Sequence, residues 1–131
     1  MKLRVAVLLA VIVCLSATYS EATVITVDPA TDDLKTKIES AIAGDVVELL
    51  KGTHVVPTPG TAGPNVSTCL IDIPAGVTIM ADPSAPHASV VVQGGDNSRR
   101  ATVFCSTGAG ITISGIRFVP AADAANGGRA V

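Results

Sequence analysis

Aromatic residues are scarce in this sequence: among 131 positions there are two Phe, one Tyr and no Trp. Charged residues are also few, at 15%, whereas hydrophobic residues make up 48%. The hydrophobic set is mostly Val, Ile and Ala, which argues against an aromatic-rich sandwich or a helical bundle. A core of small, β-branched side chains favours thin, regularly stacked strands. The length suffices for one small domain.

The sequence lacks a long apolar run after its N-terminal segment. The N-terminal run spans residues 3–15, follows the basic residue Lys2 and includes Arg4, and is shorter than the ~20 apolar residues of a membrane-spanning helix. Ser20 and Ala22 are small residues at the −3 and −1 positions of a cut before Thr23. The pattern therefore predicts a signal peptide over residues 1–22 rather than an anchor. We expect a protein that is secreted or held at the cell surface, with no transmembrane segment after cleavage.

An excess of basic residues is absent too. Seven Lys or Arg and ten Asp or Glu remain in residues 23–131, which gives a formal charge of −3 and argues against nucleic acid as a partner. His54 and His87 lie 33 positions apart, with no Cys or acid at metal-ligand spacing, so no metal site is predicted. No Gly-x-Ser-x-Gly elbow, phosphate loop or Cys-x-x-Cys motif occurs. Four of the aspartates are isolated in turn-like stretches, where local hydrogen bonding is their usual role: Asp72, Asp82, Asp96 and Asp123.

Cysteine is rare, and two cysteines, Cys69 and Cys105, remain after cleavage. An oxidising compartment favours a disulfide between them, which would contribute about 3–4 kcal/mol in the chain-entropy model. Two buried thiols, or bonding partners outside this sequence, are the alternatives. Asn65 begins an Asn-Val-Ser glycosylation sequon, which has a meaning only in a eukaryotic host.

One amphipathic helix is predicted over about residues 32–43. Its N-cap would be Thr31 or Asp32, and Gly44 would end it. The spacing i, i+4, i+7 and i+8 places four apolar residues on one face. They are Leu34, Ile38, Ala41 and Ile42.

Short strands separated by Gly or Pro account for most of the remaining chain. The predicted strands are 23–27, 46–49, 54–56, 69–73, 77–80, 90–93, 102–105, 111–114 and 116–119. Three of them follow a corner glycine, at positions 44, 76 and 110, with offsets of 32 and 34 residues. Val47, Ile79 and Ile113 each lie three residues after that glycine. This recurrence predicts a solenoid in which the three side chains stack in the interior, although chance or the hairpins of a β-sandwich would produce a similar pattern.

The segment 34–54, LKTKIESAIAGDVVELLKGTH, resembles the opening of right-handed parallel β-helix proteins of the pectin-lyase-like class. Those often begin with Ile-x-x-Ala-Ile and continue with Gly-Asp-x-Ile-x-Leu-x-x-Gly-Thr-Tyr. Segment 110–118, GITISGIRF, resembles a later coil of the same class. In segment 34–54, His54 stands where an aromatic residue is usual. The residues of that segment that match the pattern are Ile38, Ala41, Ile42, Gly44, Asp45, Val47, Leu49, Gly52 and Thr53.

The resemblance implies an all-β fold, a right-handed parallel β-helix whose coils begin at about residue 45. The helix at about 32–43 would cap the open end of the coils. Residues 118–131 resemble, less closely, a repeat of polymorphic outer membrane proteins, which are adhesin-like. That repeat contains Phe-x-x-Asn followed by Gly-Gly-Ala-Ile. There Gly127-Gly128 and Ala130-Val131 match, but Pro120 replaces or displaces the usual Asn.

Nothing after Phe118 resembles a terminal cap, and solenoids need closing terminal repeats. We therefore expect residues 23–131 to be the N-terminal portion of a longer β-helix domain.

Two functions are compatible with the resemblance. The first is a secreted or cell-surface protein without catalytic residues in this chain, structural or binding an acidic polysaccharide, a cell-wall glycan or a protein partner. Arg99 and Arg100, the one basic pair, are weak candidates for that contact, and a solvated loop is the simpler interpretation of them. The alternative is a lyase or hydrolase of uronate-rich polysaccharide whose active site lies beyond residue 131. The resemblance implies bound calcium only for a lyase, and no other cofactor is expected.

Overall fold

The computed structural model describes residues 21–56, 68–94 and 101–119. Within these ranges the chain forms one short helix and nine short strands. The helix, α1, is Leu34–Glu39. The strands are β1 Val24–Val27, β2 Val46–Leu49, β3 Gly52–Val55, β4 Thr68–Asp72, β5 Thr78–Ala81, β6 Val90–Gln93, β7 Ala101–Cys105, β8 Thr112–Ser114 and β9 Arg117–Val119.

All paired strands among these residues are parallel, and they form three sheets. Sheet A has the order β1-β2-β5-β8, sheet B the order β3-β6-β9, and sheet C contains β4 and β7. From β2 onward the chain passes from sheet A to sheet B to sheet C, and then repeats that order. Hairpins of a β-sandwich would pair neighbouring strands antiparallel, so that alternative is excluded for the described strands.

The predicted interior stack is present in sheet A. The register places Val47 opposite Ile79 and Ile79 opposite Ile113, and Ile25 extends the row on the side of β1. Val47 and Ile79 are fully buried, whereas Ile113, on the last strand of the sheet, is partly buried. Alternate residues of the four strands therefore build a shared apolar row, as the period of two requires.

The corner glycines explain how successive passes of the chain stay aligned. Gly44, Gly76 and Gly110 have φ angles of 97°, 76° and 77°, a region that side-chain-bearing residues rarely adopt. The N–H of Gly44 donates to the carbonyl of Gly76 at 3.0 Å. A Cβ on Gly76 would lie only 3.1 Å from the Cβ of Ala43. The corners therefore stack directly on one another, which a larger residue would disturb.

The helix is shorter than the sequence predicts. Asp33 is the N-cap, rather than Thr31 or Asp32, and it accepts a hydrogen bond from the N–H of Thr36 at 2.6 Å. The last turn closes early, because the N–H of Ala41 donates to the carbonyl of Ile38 at 3.1 Å. The predicted boundaries of 32–43 are therefore wrong at both ends.

Residues 40–45 form the link from α1 to β2. The predicted apolar face is correct for Leu34, Ile38 and Ala41, which are buried, but Ile42 lies beyond the helix and is 50% exposed. The N–H of Ile42 donates to the carboxylate of Asp45 at 2.9 Å, and this bond holds the link in place of another helical turn. Gly44 is thus a turn residue before β2 rather than the helix C-cap.

Helix α1 packs on β4 and β1. Lys35 donates from Nζ to the carbonyl of Leu70 at 2.6 Å, and Glu39 accepts from the N–H of Asp72 at 3.1 Å. Lys35 and Glu39 also form an ion pair with each other. These contacts bind the helix to the first strand of sheet C, while Leu34 and Ile38 face the apolar interior.

Sheet C departs from strict alternation at one place in both strands. Leu70 and Ile71 are consecutive buried residues on β4, and Val103 and Phe104 repeat this on β7. Phe104 packs edge-to-face on Phe118 with ring centroids 5.5 Å apart, so the two Phe residues share one interior contact.

Candidate functional site

Three of the residues singled out from the sequence lie outside the described residues. They are Asn65, Arg99 and Arg100, so glycosylation at Asn65 and glycan contact at the arginine pair stay predictions. The signal peptide likewise falls on residues 1–22, of which the structure describes only the last two.

The predicted cysteine pair is brought together by sheet C. Cys69 lies on β4 and Cys105 on β7, their Cα atoms are 6.0 Å apart, and their sulfur atoms are at disulfide distance. That separation is within the range that native disulfides span. Since β4 and β7 are neighbours in the sheet, the bridge would link two successive passes of the chain on their outer surface.

The outer face of sheet A carries two rows of side chains, each crossing all four strands. One row runs Val24, Val46, Thr78, Thr112 and the other runs Thr26, Glu48, Met80, Ser114. All eight are exposed or half-exposed. Neighbouring strands are about 4.8 Å apart, so the adjacent hydroxyl groups of Thr78 and Thr112 in the first row lie at about that spacing. We call these eight residues the outer face of sheet A.

The outer face of sheet B presents a cation that the sequence analysis did not single out. Thr53, Val91 and Arg117 form one row across its three strands, and Arg117 is exposed. The alternation of residues 116–119, with Phe118 inward, was the available signal.

Two cavities lie beside α1. The larger has a volume of about 190 Å³, and its lining includes Leu34, Val56 and Leu70. The smaller, of about 120 Å³, is lined in part by Asp32, Asp33 and His54.

His54 faces the interior of sheet B, in a row with Val92 and Phe118. It is 2% exposed, and its Nε2 lies 3.0 Å from the carbonyl of Leu50. Because a carbonyl only accepts, Nε2 donates this hydrogen bond, and Nδ1 is buried without a hydrogen-bond partner among the described residues. His54 thus fills the place of an inward aromatic residue. Among the described residues, no three His, Cys, Asp or Glu side chains converge to hold a metal ion.

Asp45 is the most enclosed carboxylate of the described residues, at 4% exposure. One oxygen accepts from the N–H of Ile42 at 2.9 Å, and the other accepts from the N–H of Thr23 at 3.0 Å. These two bonds hold the pKa of Asp45 below its ordinary value, and the bond from Ile42 is the larger cause. The Gly-Asp corner therefore ties the start of β1 to the link after α1.

Acid is expected to destabilise the domain below about pH 4, where carboxyl groups of unfolded chains begin to protonate. The pKa values of Asp32, Asp33, Glu39, Asp45 and Asp82 are all lowered in the folded state. A lowered folded pKa adds stability that is present above the unfolded pKa and is lost as pH falls through the folded pKa. Thermal unfolding from pH 7 to pH 3 should show this loss. The Asp45→Asn variant should unfold at a lower temperature than the parent chain at pH 7, and its melting temperature should fall less between pH 7 and pH 3. If the melting temperatures of variant and parent depended on pH in the same way, the prediction would be contradicted.

No helix in the described part of the chain is long and apolar enough to cross a membrane. Comparison with protein-family models, curated proteins and solved structures gave no match. The function is therefore inferred from the geometry above.

Proposed function

We propose that the chain forms the first coils of a right-handed parallel β-helix that is secreted or displayed at the cell surface and binds an extended glycan. The recurring order of sheets A, B and C supports the coiled architecture. So does the spacing of 32 residues from the start of β2 to the start of β5, and of 34 from β5 to β8. Each recurrence would be one coil, and the Val47–Ile79–Ile113 row would be part of its dry interior.

The position of α1 supports a capping role at one end of such a coil stack. An uncovered end would expose strand edges and apolar side chains, which promote aggregation. Helix α1 packs on β1, the terminal strand of sheet A, and on β4 in sheet C. Its Leu34 and Ile38 are buried there, so the helix covers apolar surface rather than offering a recognition face.

The outer face of sheet A is the surface that best suits an extended, uncharged or weakly charged polymer. It crosses four parallel strands, so it is long in the direction in which the coils stack. Thr26, Thr78, Thr112 and Ser114 offer hydroxyl groups that both donate and accept hydrogen bonds, and Met80 adds an adaptable apolar contact. A sugar chain presents the same mixture of hydroxyl and apolar surface, which makes a glycan the matching ligand.

Four of the described carboxylates are committed to local structure, which favours binding over catalysis at those positions. Asp33 and Asp45 accept from backbone N–H groups, Asp82 accepts from both the N–H and the hydroxyl of Ser84, and Glu39 pairs with Lys35. Each serves local structure, and none of these four is left to act as an acid or a base. A fold does not determine a function, and the lyase or hydrolase of uronate-rich polysaccharide remains a proposal about chain beyond residue 131.

We expect the disulfide-intact chain, residues 23–131, to bind one class of polysaccharide on a glycan array that includes polygalacturonate. Thr78→Val and Thr112→Val each remove one hydroxyl and keep the side-chain shape. Each should weaken binding by about 2- to 10-fold, the equivalent of one hydrogen bond. Titration calorimetry or biolayer interferometry with the best ligand measures the change.

Thr53→Val is the matched control, since Thr53 is an exposed threonine on sheet B. It should bind as tightly as the parent chain. Equal weakening by all three substitutions, or no glycan bound at all, would count against the outer face of sheet A. If incubation with polygalacturonate and calcium gave an unsaturated product, detected by its ultraviolet absorbance, the lyase would be favoured instead.

A further inference from the structure

Asp45 is a buried carboxylate without a cation. It is 4% exposed, and the described residues place no Lys, Arg or His in an ion pair with it. Its two hydrogen bonds come from neutral backbone N–H groups, those of Thr23 and Ile42. Buried acids are usually paired with a positive charge, because an unpaired charge is costly to remove from water. A positive charge placed on an atom next to this carboxylate would therefore stabilise it.

The nitrogen of Thr23 lies 3.0 Å from one oxygen of Asp45, and the predicted signal cleavage falls directly before Thr23. A leader protease would add water across the bond between the Ala22 carbonyl carbon and the Thr23 nitrogen. The released Ala22 end becomes a carboxylate, and the Thr23 nitrogen takes up protons to become an ammonium group at neutral pH. The cut thus creates a positive charge on the very atom that already contacts Asp45.

We propose that removal of the leader completes an ion pair between the new N-terminal ammonium of Thr23 and the carboxylate of Asp45. The inference rests on the predicted cut before Thr23 and is independent of the proposed glycan binding. A charge-assisted hydrogen bond is about twice as strong as a neutral one. The pair anchors Thr23, the residue directly before β1. The carbonyl of Thr23 already accepts a hydrogen bond from the N–H of Val46 at 2.9 Å. Processing is thereby coupled to the stability of the edge of sheet A.

The surroundings of the cut allow this processing. Glu21, Ala22 and Thr23 are all exposed, so the predicted cut lies at the surface of the described structure. The side chain of Asp45, in contrast, lies below the surface. The ammonium therefore caps a carboxylate that other soluble cations reach poorly.

The first test is the N-terminus of the secreted protein, which intact-mass analysis should place at Thr23. The second compares residues 23–131 with a chain that retains Ser20, Glu21 and Ala22, each with and without Asp45→Asn. The retained residues keep the Thr23 N–H but move the positive charge away. At pH 7 and low salt, the chain that begins at Thr23 should melt higher by several degrees, on the order of 5 °C. Asp45→Asn should abolish that difference.

A direct readout covers the case in which Asp45→Asn does not fold. Acylation of amines, followed by peptide mass analysis, should modify the Thr23 amine of the mature chain several-fold more slowly than the Ser20 amine of the extended chain, since the pair holds the former protonated. Equal melting temperatures of the mature and extended chains, equal acylation rates, or a secreted chain that begins elsewhere would each overturn the proposal.

Discussion

Replacement of Ile79 by Asp is expected to unfold the domain. Ile79 is fully buried and lies between Val47 and Ile113 in the interior row of sheet A. A carboxylate there would be surrounded by apolar side chains. The free-energy cost of burying an isolated charge is far larger than the stabilisation that one hydrogen bond provides. We expect a loss of more than about 4 kcal/mol, which is most of the ~5–15 kcal/mol that stabilises an ordinary domain. Urea unfolding and the yield of secreted protein measure the effect.

Two further substitutions make the prediction specific to the interior row. Thr78→Asp places the same charge on the adjacent residue, which faces outward and is half-exposed, so it should cost less than about 1 kcal/mol. Ile113→Asp should fall between the two, because Ile113 is only partly buried at the last strand of the sheet. If Ile79→Asp proved as stable as Thr78→Asp, the assignment of the interior face would be wrong.

Removal of the cysteine pair, by Cys69→Ser with Cys105→Ser, should lower the free energy of unfolding by about 3–4 kcal/mol. A bridge over a sequence separation of 36 residues restricts the unfolded chain, and the loss of that restriction is the physical reason for the change. The midpoint of urea unfolding measures it. Non-reducing peptide mapping of the parent chain should recover Cys69 and Cys105 in one linked peptide.

Reduction provides the matched control. Dithiothreitol should move the unfolding midpoint of the parent chain to that of the double-serine chain, and should leave the double-serine chain unchanged. A parent chain that unfolds at the same urea concentration with and without reductant, or free thiols at both positions of secreted material, would refute a stabilising bridge.

The local sequence pattern was sufficient to predict the strands and much of their stacking. Alternation identified which residues of β2, β5 and β8 face inward, because side chains of a strand point alternately to its two sides. The glycine offsets of 32 and 34 residues identified the partners of Val47, since positive φ at a stacked corner demands glycine in each pass. The parallel register of Val47, Ile79 and Ile113 was therefore predictable without any tertiary contact.

The candidate sites were less predictable, because they depend on residues far apart in the chain. The outer face of sheet A could be assembled only from the register of four separate strands. The approach of Cys69 to Cys105 needed the pairing of β4 with β7. Composition and spacing could nominate the two cysteines, but only the sheet could bring them together.

What the sequence by itself determined is the strand-rich class, the inward positions and the repeat, all of which follow from the period of two and from glycine backbone freedom. Only the tertiary structure decided where α1 ends and what Asp45 does. The helical period continues through Ile42 in the sequence, yet Asp45 captures the N–H of Ile42 and the nitrogen of Thr23. The bond from Thr23 joins atoms 22 residues apart, and a helical period measured along the chain carries no information about it.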